Sequence, residues 1–120
     1  MIKEAYCSFE VAKLLKEKGF NERSAASYDS KGQLQEGYGY WNKTPIWYAA
    51  PTHQMAMAWL RKEKRIFIRI IEDGAGEVFR YEIYNHTPDN NGDYYISNTY
   101  IDSYEEAVKA ALKYSLEKLI

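Results

Sequence analysis

The chain is poor in the features that usually announce a fold or a function: it has one cysteine, three prolines, four phenylalanines and no excess of either charge. Each scarcity excludes something. A single cysteine, Cys7, cannot close an internal disulfide, so a disulfide-stapled scaffold is ruled out and a reducing compartment is expected. A formal net charge of -1 and a pI near 6.1 leave no global field to draw the protein toward nucleic acid or an anionic membrane; any such contact has to be local. No segment approaches the roughly 20 apolar residues that cross a bilayer. Met1-Ile2-Lys3-Glu4 also lacks the apolar run of a secretory leader, so the expected location is cytoplasmic. No linker, repeat or low-complexity tract divides the 120 residues, a length that suits one domain over 1–120 with a core of its own.

What is present is periodicity, and it centres on Ala50 to Ile83. Met55, Ala56, Trp59 and Leu60 fall three and four apart, with Gln54, Arg61 and Lys62 on the other side, which predicts a helix over Ala50–Lys64. Thr52 is its expected N-cap, and Pro51 blocks extension backward. From Ile66 the period becomes two: Ile66, Ile68 and Ile70 point one way, and Phe67, Arg69 and Ile71 the other. Asp73-Gly74-Ala75-Gly76 then predicts a hairpin. With Gly74 and Ala75 as the central pair of a type II′ turn, Asp73 pairs with Gly76, Ile70 with Phe79, Ile68 with Tyr81 and Ile66 with Ile83. The same register sets Arg69 directly opposite Arg80, a repulsive pair that Glu82, a diagonal neighbour, only partly offsets.

The flanks read in the same way. Ser8 caps a helix over Ser8–Lys18 with Glu10 in its first turn and Val11, Ala12, Leu14 and Leu15 as its buried stripe; Lys13, Lys16 and Glu17 are expected in solvent. Gly19 at C′ would end it, with Phe20 packing on Leu15 in a Schellman motif. Between Asn21 and Ala49 the signals are thin: a turn at Asp29-Ser30-Lys31-Gly32, and short strands over Leu34–Trp41 and Ile46–Ala49 that Gly37 and Gly39 weaken. Tyr38, Tyr40, Trp41, Trp47 and Tyr48 crowd this region. Core packing is the expectation for them and a binding surface the alternative. Beyond Ile83, Pro88 and Asn91-Gly92 mark a loop over Asn85–Asp93, and a third strand is expected over Tyr94–Tyr100. Ser103-Tyr104-Glu105-Glu106 is a capping box opening a last helix, whose stripe is Tyr104, Val108, Ala111, Leu112, Ser115, Leu116 and Leu119. The predicted class is α+β: an antiparallel sheet of three or more strands packed with about three helices.

Cys7-Ser8-Phe9-Glu10-Val11-Ala12-Lys13-Leu14-Leu15 through Phe20, then Tyr48-Ala49-Ala50-Pro51-Thr52-His53-Gln54-Met55 through Arg61, and Ser103-Tyr104-Glu105-Glu106-Ala107 carry a resemblance. These blocks resemble a family of small uncharacterised proteins of prophages and mobile elements in gut Bacteroides-type bacteria. The resemblance implies an intracellular accessory protein and brings no catalytic residues with it.

Read for chemistry, the sequence supports no enzyme and implies no cofactor or metal. Cys7 with His53 would make a nucleophile and base, but no spacing brings them together and no third orienting group follows. His53 and His86 with Asp89 and Asp93 fit no metal-ligand pattern. Gly74 and Gly76 lie in a hairpin, not in a phosphate-binding strand-to-helix loop. Paired carboxylates, Glu72 with Asp73 and Glu105 with Glu106, are explained by a strand end and a cap. Two function classes remain. In the first the protein is a non-enzymatic accessory domain that binds a protein partner or itself through the outer face of the central hairpin, at Phe67, Arg69, Arg80, Glu82 and Tyr84. In the second, Arg61, Lys62, Lys64 and Arg65 form a basic cluster that meets nucleic acid with help from nearby aromatics. Basic residues at the end of a helix also complement its dipole, which would explain the cluster without any ligand.

Overall fold

In the computed structural model, which describes residues 4–87 and 92–120, the chain is an α+β protein with three α-helices and two three-stranded antiparallel sheets. It divides into two compact units, Met1–Ala56 and Met57–Ile120, with the boundary inside a helix.

In the first unit, α1 spans Phe9–Glu17. It begins there because Ser8 stays extended and its Oγ accepts from the Val11 amide at 3.2 Å, satisfying an amide that the helix itself leaves unpaired. It ends as the glycine predicts. Gly19 adopts φ +97°, Phe20 N–H donates to Leu15 O at 2.9 Å and Gly19 N–H donates to Lys16 O at 3.2 Å, the two bonds of a Schellman motif. Val11, Ala12, Leu15 and Phe20 are buried, and each large side chain among them contributes roughly 1.5–3 kcal/mol by leaving water.

Residues 21–49 hold what the sequence conceals. Strand β1, Ser24–Tyr28, has no counterpart in the sequence reading, because Ser-Ala-Ala-Ser-Tyr shows no alternation of large apolar and polar residues. Its small side chains suit the middle of a sheet ordered β2-β1-β3, where Ser24, Ala26 and Ser27 are buried. Strand β2 is Leu34–Gly39 and β3 only Tyr48–Ala49, both shorter than predicted, with a 3-10 turn over Trp41–Lys43 between them. The expected turn is present: Gly32 N–H donates to Asp29 O at 3.0 Å, while Asp29 Oδ1 accepts from the Lys31 and Gln33 amides. Gly32 has φ +81°, and a Cβ there would stand 2.8 Å from the Phe9 ring, so both conformation and space require glycine. Lys16 departs from its expected place in solvent. Its Nζ donates to Thr44 O at 2.7 Å and Trp47 O at 2.8 Å and lies over the Tyr48 ring, so the amine ties α1 to the 44–48 segment.

Helix α2, His53–Lys64, starts after its cap and not at Ala50: Thr52 Oγ1 accepts from the Met55 amide at 3.2 Å. Ala56, Met57, Trp59 and Leu60 are buried.

The second unit carries the predicted meander, β4 (Ile66–Asp73), β5 (Val78–Asn85) and β6 (Asp93–Ile96), in the order β4-β5-β6. Its register differs from the sequence reading by two residues. Asp73 pairs with Val78, not Gly76; Ile70 pairs with Tyr81 and Ile68 with Ile83. The cause is the turn. Ala75 and Gly76 both take positive φ, +59° and +83°, and Glu77 N–H donates to Gly74 O at 3.2 Å, as a type I′ turn inside a longer loop requires. A slip of two keeps every side chain on its predicted face, which is why the pattern alone could not detect it. β6 is shorter than the expected Tyr94–Tyr100. Ser97 N–H still donates to Tyr81 O at 3.0 Å, and the chain then meets β5 again at Ile101, where Phe79 and Ile101 exchange two backbone bonds of 2.8 Å. Of the loop signals, Gly92 has φ +80°, whereas Pro88 and Asn91 lie outside the described residues.

Helix α3, Tyr104–Tyr114, covers one face of this sheet. Ser103 Oγ accepts from the Glu106 amide at 3.1 Å, the predicted cap. Ala107, Val108, Ala111, Leu112 and Leu116 are buried, and Tyr104 and Tyr114 meet Phe79 and Tyr81 ring to ring. Past Tyr114 the helix widens into a π-helical segment, Ser115–Leu119, where the buried Ser115 hydroxyl donates back to Ala111 O at 2.8 Å.

Candidate functional site

The opposite face of the β4-β5-β6 sheet is where the predicted docking residues fall. Alternation along β4 and β5 places Phe67, Arg69, Ile71, Val78, Arg80, Glu82 and Tyr84 there together. β6 extends the face, since Ile96 pairs with Glu82 and Tyr94 with Tyr84. Phe67, Tyr94 and Ile96 are 38%, 46% and 38% exposed, a run of large apolar side chains in contact with water. The rings of this face form a connected strip: Phe67 lies 5.4 Å from His86 edge to face, and Tyr84 lies 6.3 Å from His86 and 4.8 Å from Tyr94. Sequence reasoning missed Tyr94, Ile96 and His86 as members of this face. Period two across Tyr94 and Ile96 was the available signal, but it assigns a face only once the register of β6 is known.

The charges are arranged differently from the prediction. Arg69 faces Glu82 and not Arg80, with Nη2 2.9 Å from Oε1, and Arg80 faces Ile71 while its Nε donates to Asp73 Oδ2 at 3.0 Å. The expected repulsive pair and its net positive spot are therefore replaced by two separate ion pairs, because the longer loop moved β5 by two residues. Glu82 is 7% exposed, and the Tyr94 hydroxyl donates to its Oε2. The Arg69 contact to Oε1 has the distance of a hydrogen bond but not its angle, so that oxygen is held by charge alone. The hydrogen bond to Glu82 raises the Tyr94 pKa, and desolvation and the carboxylate's charge act in the same direction.

The predicted basic cluster lies at the end of α2. Arg61, Lys62 and Arg65 are exposed, with Glu63 exposed among them, and Lys64 Nζ folds over the Trp59 ring at 5.5 Å. Arg65 takes φ +55°, which ends the helix, and its carbonyl accepts from the His86 amide at 2.9 Å. That bond sets Arg65 beside the aromatic strip.

The aromatic crowd at 38–48 divides. Tyr38 and Tyr40 are 71% and 50% exposed, each stacked under a cation, Arg23 and Lys43 respectively, which departs from the expected core packing. Trp41 and Trp47 pack on each other at 5.7 Å, and Tyr48 meets Phe9 edge to face at 5.5 Å. An open cleft of about 660 Å³ borders β2 at Leu34, Glu36 and Tyr38.

Cys7 and His53 are brought closer than their spacing suggested, through an antiparallel bridge between Tyr6 and Thr52 in which His53 N–H donates to Ala5 O at 2.9 Å. The thiol is nevertheless fully buried against Thr52 O, and burial pushes its pKa up to about 12, so it stays protonated and a poor nucleophile. Among the described residues no three His, Cys, Asp or Glu side chains cluster; Asp89 of the weighed metal set lies outside them. No helix of the described residues is long and apolar enough to cross a membrane. No family model matches this chain, and neither a curated protein nor a solved structure does.

Proposed function

We propose that this is a non-catalytic intracellular accessory protein that docks a protein partner, or a second copy of itself, on the outer face of the β4-β5-β6 sheet. The observation that carries the reading is the exposure of Phe67, Tyr94 and Ile96 on the face that α3 leaves uncovered. Aromatics and arginine together are what protein interfaces are enriched in, and ion pairs of both signs beside them give a partner directional contacts as well as apolar area. Replacing Phe67, Tyr94 and Ile96 together by Ser should abolish capture of host proteins and self-association while the melting transition stays cooperative. Unchanged capture and an unchanged oligomeric state would remove this face from the function.

A second reading has one specific observation in its favour. The bond from His86 N–H to Arg65 O joins the exposed Arg61, Lys62 and Arg65 to the strip of Phe67, His86 and Tyr84, and basic groups beside stackable rings suit single-stranded nucleic acid. Retention of the protein on heparin and on single-stranded DNA that falls steeply with salt, and is lost on changing Arg61, Lys62 and Arg65 to Ser, would favour it over a protein partner.

A further inference from the structure

We propose that two copies of this chain pair edge to edge through β4, about a two-fold axis, so that two β4-β5-β6 sheets become one continuous sheet. This is distinct from docking on the outer face and does not depend on it.

Unpaired strand edges present rows of unsatisfied N–H and C=O groups, and proteins blunt the edges they leave in water. Among the described residues the sheets have four such edges, β2, β3, β4 and β6. Three are blunted. β3 is two residues long. β6 is four, and beyond Ser97 the chain leaves the ladder until the single bridge at Ile101. β2 carries an irregular register opposite Ser24 and Ala26, contains Gly37 and Gly39, and is exposed throughout Leu34–Tyr38. β4 is the opposite: eight residues, Ile-Phe-Ile-Arg-Ile-Ile-Glu-Asp, paired with β5 without a bulge and containing neither proline nor lysine. It is the longest and most regular of these edges, and its charges, Arg69, Glu72 and Asp73, are what a pairing must accommodate. The formal net charge of -1 leaves little repulsion between copies.

A two-fold antiparallel pairing must match residues that share a face, so it centres on one residue of β4, and the side chains choose which. Centring on Arg69 sets it against the second copy's Arg69, two like charges. Centring on Ile70 or Ile71 sets an isoleucine against Glu72. Centring on Phe67 leaves only three residues in register, because Arg65 at φ +55° is not extended. Centring on Ile68 pairs it with the second copy's Ile68 and Ile66 with Ile70, and it brings the Arg69 guanidinium, its side chain 69% exposed, over the second copy's Phe67. Every paired position is then apolar with apolar or cation with ring.

The test is sedimentation equilibrium of the full chain from micromolar to millimolar concentration, for the wild type, Phe67→Lys and Phe67→Glu, with a thermal melt to confirm that each is folded. The expected result is a dimer that Phe67→Lys weakens roughly tenfold or more, since two lysines then oppose two arginines, and that Phe67→Glu retains by ion pairing with the same arginines. A wild type that stays monomeric throughout overturns the proposal, as does equal weakening by both substitutions, which would place the contact on the face and not on the edge. Retention by Lys and loss by Glu overturns the pairing centred on Ile68. A monomer that still loses its protein partner when Phe67, Tyr94 and Ile96 become Ser would overturn edge pairing while leaving the proposed docking face standing.

Discussion

Arg69 and Glu82 face each other across the β4–β5 ladder at 2.9 Å, yet the two ends of the pair occupy different media: the arginine side chain is 69% exposed and the glutamate side chain 9%. Truncating the exposed Arg69 lets water reach Oε1 in place of the guanidinium, whereas a phenylalanine at position 94 keeps the ring in place and leaves Oε2 without its donor. Arg69→Ala should therefore cost about 0–1 kcal/mol and Tyr94→Phe, which strips the hydroxyl from Glu82, about 1–3 kcal/mol. Urea unfolding of the two variants checks the order; a costlier Arg69→Ala would mean that the ion pair, not the hydroxyl, holds Glu82. Changing Arg69 and Arg80 together to Ser should lower stability slightly, since each has a carboxylate partner in place of the repulsion that the sequence suggested.

Helix α3 is integral to its unit. Ala107, Val108, Ala111, Leu112 and Leu116 are buried, so ending the chain at Asp102 should abolish cooperative melting of the second unit. Leu116→Ala, at a side chain with no exposure, should cost roughly 2–5 kcal/mol. Calorimetry of both variants is the check, and a truncated chain melting near the wild-type temperature would contradict it.

Cys7 gives a pH signature without any catalytic role. Its thiol is held to about 12 against an ordinary 9.0, so between those values the unfolded chain loses a proton that the folded chain keeps. The folded pKa is the higher one. Its stabilising effect is complete below about pH 9 and should be lost at roughly 1.4 kcal/mol per pH unit above it. Tyr94, raised by its bond to Glu82, adds the same sign from about pH 10 upward. Cys7→Ala should flatten the fall between pH 9 and 10 in chemical unfolding and leave any partner binding intact; an unchanged slope would show that the thiol does not couple to folding.

Two backbone positions should respond in opposite ways. Ala75 sits at φ +59°, where a Cβ is strained, so Ala75→Gly should stabilise the hairpin by about 0.5–1 kcal/mol. Gly32→Ala combines φ +81° with a 2.8 Å clash on Phe9 and should destabilise by about 1–3 kcal/mol. Melting temperatures moving the same way in both variants would refute the strain argument at Ala75.

Local rules settled the helices. Ser8, Gly19, Thr52 and Ser103 act through bonds to amides and carbonyls within one turn, so their roles could be read before any tertiary contact was known. The same locality assigned the faces of β4 and β5, because alternation needs no partner strand. What only the tertiary structure decided was the pairing of distant residues. Ala75 takes a conformation that its side chain disfavours, which moved β5 by two residues, turned an expected Arg69–Arg80 repulsion into two ion pairs and buried Glu82 under Tyr94. β1 was illegible for a related reason: Ser24, Ala26 and Ser27 are strand residues by virtue of where they are buried, between β2 and β3, and small side chains carry no period of their own. Tyr38 and Tyr40 stand in solvent beside Arg23 and Lys43, brought there by the folding of the 34–44 segment, whereas Trp41, Trp47 and Tyr48 turn to one another and to Phe9. An amphipathic ring is stable in either setting, so its identity alone leaves the choice to the packing around it.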